Sequence, residues 1–461
     1  MLIRAFDDGS TEIPTPVPGD LGRVIVVGAG IAGLTVANAL TTAGVDCVVL
    51  EARDRIGGRL HTAEVDGHPA DLGGAWIHHP DENVLTDWAE HASVARIVDP
   101  TGTRFTGADL AERRRLTDEE LAGVGYAVFE PVARRVRASL DAGGPDRSAA
   151  AAVDDHLSEC CAPGPGRDRL RQLMAAMVEQ DGAGAFDAIS ARWALTEEMF
   201  VGDVVDDVPV GGFRSVLAPL AAGATIRLDS PVRLVEQTQD GVTVTGDGWS
   251  ESGSHLVVTV PLGVLKADGI RFEPPLPTER RALIDRTGFG NLEKVVLAFA
   301  EPFWRDADPG LQHSVVYPAD RREAATWTWD FGLTPTLMFL VAHSAAPTMW
   351  RDPEAWALEQ LEALYGEPLP APPTGCLSTD WLHDPYALGA YAHIRPGERA
   401  SDFDALGEPV GRICFAGEHT GSERAGYADG AMSSGLREAK RLLQQRAVQL
   451  AAPSAPTGGA G

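Results

Sequence analysis

Residues 23–59 read RVIVVGAGIAGLTVANALTTAGVDCVVLEARDRIGGR, and no other stretch restricts the fold as strongly. An apolar strand, Val24–Val27, runs into Gly28-Ala29-Gly30-Ile31-Ala32-Gly33. A helical pattern follows through Leu34, Val36, Ala37 and Leu40, and Gly44 ends it. A second apolar strand, Cys47–Leu50, delivers Glu51. G-x-G-x-x-G alone is weak, but strand, tight turn, helix, strand and terminal acid together form its dinucleotide-binding context. Gly28 makes the turn, Gly30 lets backbone approach a pyrophosphate, and Gly33 lets helix and strand pack closely. The helix N-terminus offers unpaired N–H groups and a positive dipole end to phosphates. An ionised Glu51 only accepts hydrogen bonds, which suits ribose hydroxyls.

The run continues Ala52-Arg53-Asp54-Arg55-Ile56-Gly57-Gly58-Arg59. A nicotinamide site has no need of a second glycine pair among arginines just past the acid. A longer, bent dinucleotide with a second phosphate-facing loop does. This stretch resembles the flavin-containing amine oxidase family, which shares E-A-R-x-R-x-G-G-R and includes monoamine oxidases, polyamine oxidases, histone lysine demethylases and L-amino-acid oxidases. The resemblance implies FAD and a glutathione-reductase-type, Rossmann-like FAD-binding domain of the α/β class. An α+β substrate-binding domain is interleaved with it.

Charge adds a constraint on partners. Asp and Glu number 66 against 39 Lys and Arg, a net charge of -27. Such a field repels nucleic acid and anionic membranes and attracts cationic solutes, although solubility alone accounts for it equally well. Five cysteines, Cys160 and Cys161 adjacent, show no metal spacing and no disulfide framework, which fits a reducing, cytoplasmic setting. Cys47 and Cys414 lie in apolar strand patterns and read as buried thiols. The N-terminus lacks a signal-peptide pattern, no apolar run is long enough to span a membrane, and the end, AAPSAPTGGAG, reads as a flexible tail. Homodimerisation is compatible with the sequence, which does not set the oligomeric state.

The domains are expected to interleave. Residues 1–20 form an extended leader; 21–80, 205–290 and 395–446 the FAD-binding domain; 81–204 and 291–394 the substrate domain; 447–461 the tail. From 81 to 204 the pattern is helical, as at Glu130–Leu140, with an Ala/Gly/Pro-rich break near 141–168. Strands are expected at Ala224–Leu228, Val232–Gln237, Val242–Thr245, His255–Val260, Lys294–Ala300 and Arg412–Ala416. Helices are expected at Pro353–Tyr365 and Tyr427–Gln445. The last strand enters Gly417-Glu418-His419. In the family this closing acid faces ribitol and pyrophosphate, and the helix after it, beginning near Ala428, aims its N-terminus at the flavin pyrimidine.

The resemblance covers roughly residues 21–445 and assigns further roles. Asp71-Leu72-Gly73-Gly74-Ala75-Trp76-Ile77-His78 matches the block that runs along the isoalloxazine. Its W-I-H is the polyamine oxidase variant, placing Trp76 and His78 at the amine and arguing against amino-acid substrates; His79 is an open alternative to His78. Lys294 leads an otherwise apolar strand. A snorkelling surface lysine would look the same, but the family places a lysine here, water-bridged to flavin N5. Trp381-Leu-His-Asp-Pro-Tyr-Ala-Leu-Gly-Ala-Tyr391 aligns Ala390 with the cysteine that binds flavin covalently in monoamine oxidases, so FAD is expected to be non-covalent. Tyr391 and Tyr427 match the aromatic pair flanking the amine. Val232 matches a backbone contact to adenine, and Arg53 and Arg59 lie near Glu51 and the pyrophosphate.

The expected chemistry is oxidation of a di- or polyamine by hydride transfer to flavin N5. The imine is then hydrolysed to an aldehyde, and O2 is reduced to H2O2. No acid–base triad or metal is needed. Alternatives are a small monoamine, an amine intermediate of a specialised pathway, or more remotely a desaturase or a non-catalytic flavoprotein. A histone demethylase is disfavoured because no nucleosome-binding insertion is visible. The acidic stretch Glu197–Asp207 is a candidate partner for a distal ammonium, or a solvated loop.

Overall fold

A computed structural model of the chain describes residues 21–99, 106–122, 126–196, 206–307, 309–365 and 368–451. The expected leader, residues 197–205 of the acidic stretch and the end of the tail lie outside them.

Val24–Val27 and Cys47–Leu50 are fully buried strands, and Ile31–Thr42 is the helix between them. The sheet they begin is entirely parallel. Its order is Ile413–Phe415, His255–Val258, Val24–Val27, Cys47–Leu50, Thr225–Arg227. Parallel strands buried on both faces need continuous apolar sequence, and VIVV, CVVL and HLVV supply it. After Leu50 the chain leaves this sheet three times, returning at Thr225, His255 and Ile413.

One face of the sheet is covered by two helices from opposite ends of the sequence. Ile31–Thr42 packs against the closing helix Ala428–Ala451, with Leu34, Leu40, Met432, Ala439 and Leu442 essentially unexposed between them. Each Leu or Met among them contributes on the order of 1.5–3 kcal/mol by leaving water. The helices approach at Gly435, where a Cβ would lie 2.5 Å from the Ala32 carbonyl oxygen. The other face carries Val235, Val244, Leu256 and Phe272, linking it to a four-stranded sheet of Trp249–Gly253, Val242–Gly246, Leu234–Gln237 and Arg271–Glu273.

A seven-stranded sheet runs Gly375–Ser378, Glu293–Ala298, Thr336–Val341, Thr326–Trp329, His313–Tyr317, Thr106–Asp109, Arg114–Arg115. Two of these strands correct the helical expectation for 81–204. Thr106–Asp109 reads TGAD and carries no alternation; it becomes a strand by pairing in parallel with His313–Tyr317, more than two hundred residues away. Arg96–Val98 is a third strand in that region, paired with Asp207–Pro209. The expected break at 141–168 is also corrected. Ala149–Cys160 is helical, four alanines at its start and Ser148 accepting from the Ala151 N–H, and Pro165 opens the long helix Pro165–Gly182. The closing helix runs beyond Gln445 into the expected tail, to Ala451.

Candidate active site

Gly28 has a φ of 105°, and a Cβ there would lie 2.7 Å from Thr259 Oγ1; at Gly33 it would lie 2.0 Å from the Gly28 carbonyl oxygen. Both glycines are therefore required by the protein's own packing. Gly30 is different. Its φ is an ordinary -73°, and a Cβ would meet nothing closer than the Gly57 carbonyl oxygen at 4.0 Å. Gly30 is the N-cap of Ile31–Thr42 and gives it no side-chain cap, so the first N–H groups are left for another acceptor. The second glycine pair joins this turn: the Gly57 N–H donates to the Ala29 carbonyl at 2.8 Å, and a Cβ on Gly58 would lie 3.6 Å from Gly30 Cα.

Glu51, at the end of its strand, is buried and accepts from the Ala29 N–H at 2.7 Å and the Arg53 N–H at 2.9 Å. Arg53 lies beside Glu51, as expected, through its backbone N–H. Its guanidinium makes a two-pronged pair with Asp384 at 2.7 and 2.8 Å and lies over Tyr386. Ala52 lies between the two, partly buried. Val232 is buried just before Leu234–Gln237, near Ser230, whose N–H donates to the Glu51 carbonyl.

Arg59 links both ends of the chain. It donates to the Ala390 carbonyl and to Glu418 Oε1, the latter at 2.9 Å. Burial alone would raise the Glu418 carboxyl; the Arg59 guanidinium and His419 overcome this and hold it at about 2. Gly417, with a φ of 142°, donates its N–H to Ser434 in the closing helix, whose first residue is Ala428.

Lys294 is buried on the strand Glu293–Ala298. Its Nζ donates to the Asp71 carbonyl at 3.1 Å and the Gly73 carbonyl at 2.6 Å, and lies 5.2 Å from the Trp76 ring centroid. Burial pulls the ammonium down to about 8, with the Asp71 carboxylate resisting. Gly74 stays exposed beside buried Ala75. A Cβ on Gly73 would be 1.6 Å from the Arg59 carbonyl oxygen. Glu293, which the sequence reading missed, holds this strand in place. It accepts from the Thr379 hydroxyl and from the Trp381 N–H at 2.8 Å, and Trp381 Nε1 donates to the Leu72 carbonyl. An acid heading an apolar strand, N-L-E-K, was the available signal.

Tyr391 and Tyr427 come together around Gly426, where a Cβ would lie 3.6 Å from Tyr391 Cδ2. The Tyr391 hydroxyl donates to the Gln180 carbonyl. Burial raises both phenols, and the nearby Asp181 raises each further. Of the two histidines, His78 faces this pair: its ring meets Tyr427 edge-on at 5.3 Å, and Nδ1 lies 2.8 Å from Asp206 Oδ2. His79 has a φ of 50° and starts the turn Pro80–Glu82. Trp76 stacks near His78, donates to Asp99 Oδ2 at 2.7 Å, and meets Trp329 and Phe331 edge-on.

These residues fit FAD. An uncapped helix N-terminus, a glycine the protein does not need for its own packing, an acceptor at Glu51 and a closing Glu418–Arg59 pair match the parts of a long dinucleotide. Ala390 offers no nucleophile, and its N–H and C=O are both used, by Gly290 and Arg59. Acid precipitation is therefore expected to release all flavin into the supernatant. A washed pellet that stays yellow would overturn non-covalent binding.

The family model described as flavin containing amine oxidoreductase matches residues 31–443. Polyamine oxidase 4 of Oryza sativa subsp. japonica is 30% identical over 92% of this chain and 90% of that protein. Lysine-specific histone demethylase 1 homolog 3 of Arabidopsis thaliana is also 30% identical over 92% of this chain, but the chain spans only 30% of that protein. A solved structure of putrescine oxidase bound to putrescine superposes with a TM-score of 0.72 at 23% identity, over 92% of this chain and 99% of that one. At that identity the likeness establishes the fold alone.

Proposed function

The chain belongs to the flavin-containing amine oxidoreductase family, and we propose that the amine it oxidises is a di- or polyamine. One observation carries the choice of substrate. His78 is paired with Asp206 and set edge-to-face with Tyr427, and the Asp206 charge acts on the Tyr427 phenol, so carboxylate and aromatic ring are neighbours. Anionic oxygen beside an aromatic ring suits a cationic amine chain. A polyamine oxidase among the relatives and the net charge of -27 support the same reading.

When bound, FAD supplies the electron acceptor: a hydride equivalent leaves the carbon next to nitrogen, water hydrolyses the imine to an aldehyde, and O2 is reduced to H2O2. The protein's share is positioning. In this reading Tyr391 and Tyr427 flank the amine and hold it by its aliphatic carbons and nitrogen. Lys294 Nζ gives two hydrogens to the Asp71 and Gly73 carbonyls. Its third position carries a lone pair when neutral and a hydrogen when charged, so it can take or return a proton of a bound water. His78 and Trp76 border the amine side, each fixed by a carboxylate.

An amine panel with peroxide detection tests this. 1,4-Diaminobutane or spermidine should give the highest kcat/KM, and that value should fall with salt more steeply than for a benzylic monoamine. Steering scales with ligand charge and is screened within about 10 Å at 0.1 M salt. Equal salt slopes would remove the charge argument. A monoamine or a lysine-methylated peptide as the best substrate would overturn the assignment.

A further inference from the structure

Lys294 is held at its backbone as well as at its tip. Its N–H donates to Thr379 Oγ1 at 2.8 Å, and its carbonyl accepts from the Thr379 N–H at 3.0 Å. This rung continues the ladder between Glu293–Ala298 and Gly375–Ser378, but one of its two bonds ends on a side chain. The Thr379 carbonyl is turned instead to Trp350 Nε1, at 3.3 Å. A hydroxyl has a single hydrogen, and Thr379 gives it to Glu293 Oε2.

Glu293 is fully buried, and both of its oxygens face donors. Besides the Thr379 hydroxyl on Oε2, its Oε1 accepts from the Trp381 N–H at 2.8 Å and the Leu382 N–H at 3.4 Å. Burial pushes this carboxyl up to about 7; the Thr379 hydroxyl and the Trp381 and Leu382 N–H groups resist, and Asp380 adds to the rise. Trp381 then donates Nε1 to the Leu72 carbonyl at 3.2 Å. Leu72 lies between the two carbonyls, of Asp71 and Gly73, that Lys294 Nζ grips. Three successive carbonyls are thus bound from one unit, and the contacts close on themselves: Glu293 to Thr379 to Lys294 to the Asp71–Gly73 block to Trp381 and back. Adjacent residues on a strand point to opposite faces, so Glu293 reaches Lys294 only by this route.

We propose that Glu293 is a positioning residue for Lys294: through the Thr379 hydroxyl and the Trp381 backbone it fixes Nζ against the Asp71–Gly73 block, and so sets the rate of the half-reaction that Lys294 serves. This rests on the reading of Lys294 above and adds to it the group that holds it. Glu293→Gln is the informative change. The carboxamide has the same shape, but its NH2 must face either the Thr379 hydroxyl or the Trp381 and Leu382 N–H groups, donor against donor.

The test is stopped-flow kinetics on the FAD-loaded enzyme with the best amine of the panel, and then with O2. Glu293→Gln should slow the half-reaction that Lys294→Met slows by about tenfold, because a small misplacement of a working group costs rate steeply. In the Lys294→Met background the same change should act within about twofold, since a residue that works through another adds nothing once that one is gone. Bound flavin per protein confirms that each variant is loaded. If Glu293→Gln does not load, Thr379 decides: Thr379→Val should slow the same step by about tenfold and Thr379→Ser, which keeps the hydroxyl, by no more than about threefold. Equal slowing by Glu293→Gln in both backgrounds, no slowing in the loaded variant, or Val and Ser behaving alike at Thr379 overturns the positioning role and leaves Lys294 standing. Both half-reactions of Lys294→Met at the wild-type rate overturn the reading of Lys294, and the role of Glu293 with it.

Discussion

Lys294→Met is expected to slow one half-reaction, flavin reoxidation or imine hydrolysis, by at least about a hundred-fold, the lower end of what a positioned proton carrier contributes. FAD should stay bound, because Nζ touches the backbone of the Asp71–Gly73 stretch and contributes nothing to the phosphate cradle. The pH dependence follows from burial. With the ammonium pulled down to about 8, the neutral, proton-accepting form gains population as pH rises through that value, and the charged form dominates below it. The affected wild-type half-reaction should titrate near there, and the Met variant should lose that limb. Stopped-flow traces with both half-reactions within threefold of wild type would end the assignment.

Gly30→Val should give a folded protein that cannot hold FAD. A Cβ at this position has 4.0 Å of clearance to the nearest protein atom, and the backbone φ of -73° suits any residue. The space it would fill is the space a pyrophosphate needs. At least a hundred-fold loss of FAD affinity is expected, equivalent to about 3 kcal/mol. Gly33→Val serves as the contrast. There the Cβ would stand 2.0 Å from the Gly28 carbonyl oxygen, so the turn itself must break and the melting transition should fall. A colourless Gly30→Val with a wild-type melting curve after apoprotein correction is the expected pair of results. Stoichiometric flavin in that variant would show that the pyrophosphate lies elsewhere.

The nucleotide-binding half was legible in the sequence because its signals are local. Gly28, Gly30, Gly33 and Glu51 act through turn geometry and strand ends within thirty residues. The closing Gly417–Glu418 block repeats that logic at the other end of the chain. The substrate half was less legible. Thr106–Asp109 is short and mixed in polarity, and only its partner His313–Tyr317 makes it a strand. Asp109 within it is unexposed because Arg169 and Arg321 neutralise it from two other segments, a fact no window of sequence contains. Ala149–Cys160 was obscured by the glycines and prolines around it, although its alanines and the Ser148 cap argue for helix. Asp181 has no motif. It sits in a polar helix end, E-Q-D-G, indistinguishable in one dimension from an ordinary exposed terminus; only the fold brings Tyr391, whose hydroxyl donates to the Gln180 carbonyl, to this helix end.

The pairing of the first helix with the last carries a consequence for how the protein is made. Ile31–Thr42 leaves the ribosome nearly four hundred residues before the segment that covers its apolar face, from Ala428 onward. The parallel sheet is likewise without its edge strand until Ile413–Phe415 has been synthesised. Throughout elongation Leu34, Leu40 and the bare edge of His255–Val258 are open to water and to other chains, the kind of surface that draws chaperones or aggregates. The Glu418–Arg59 clasp forms only then, so the cofactor cradle cannot close until Glu418 has been synthesised.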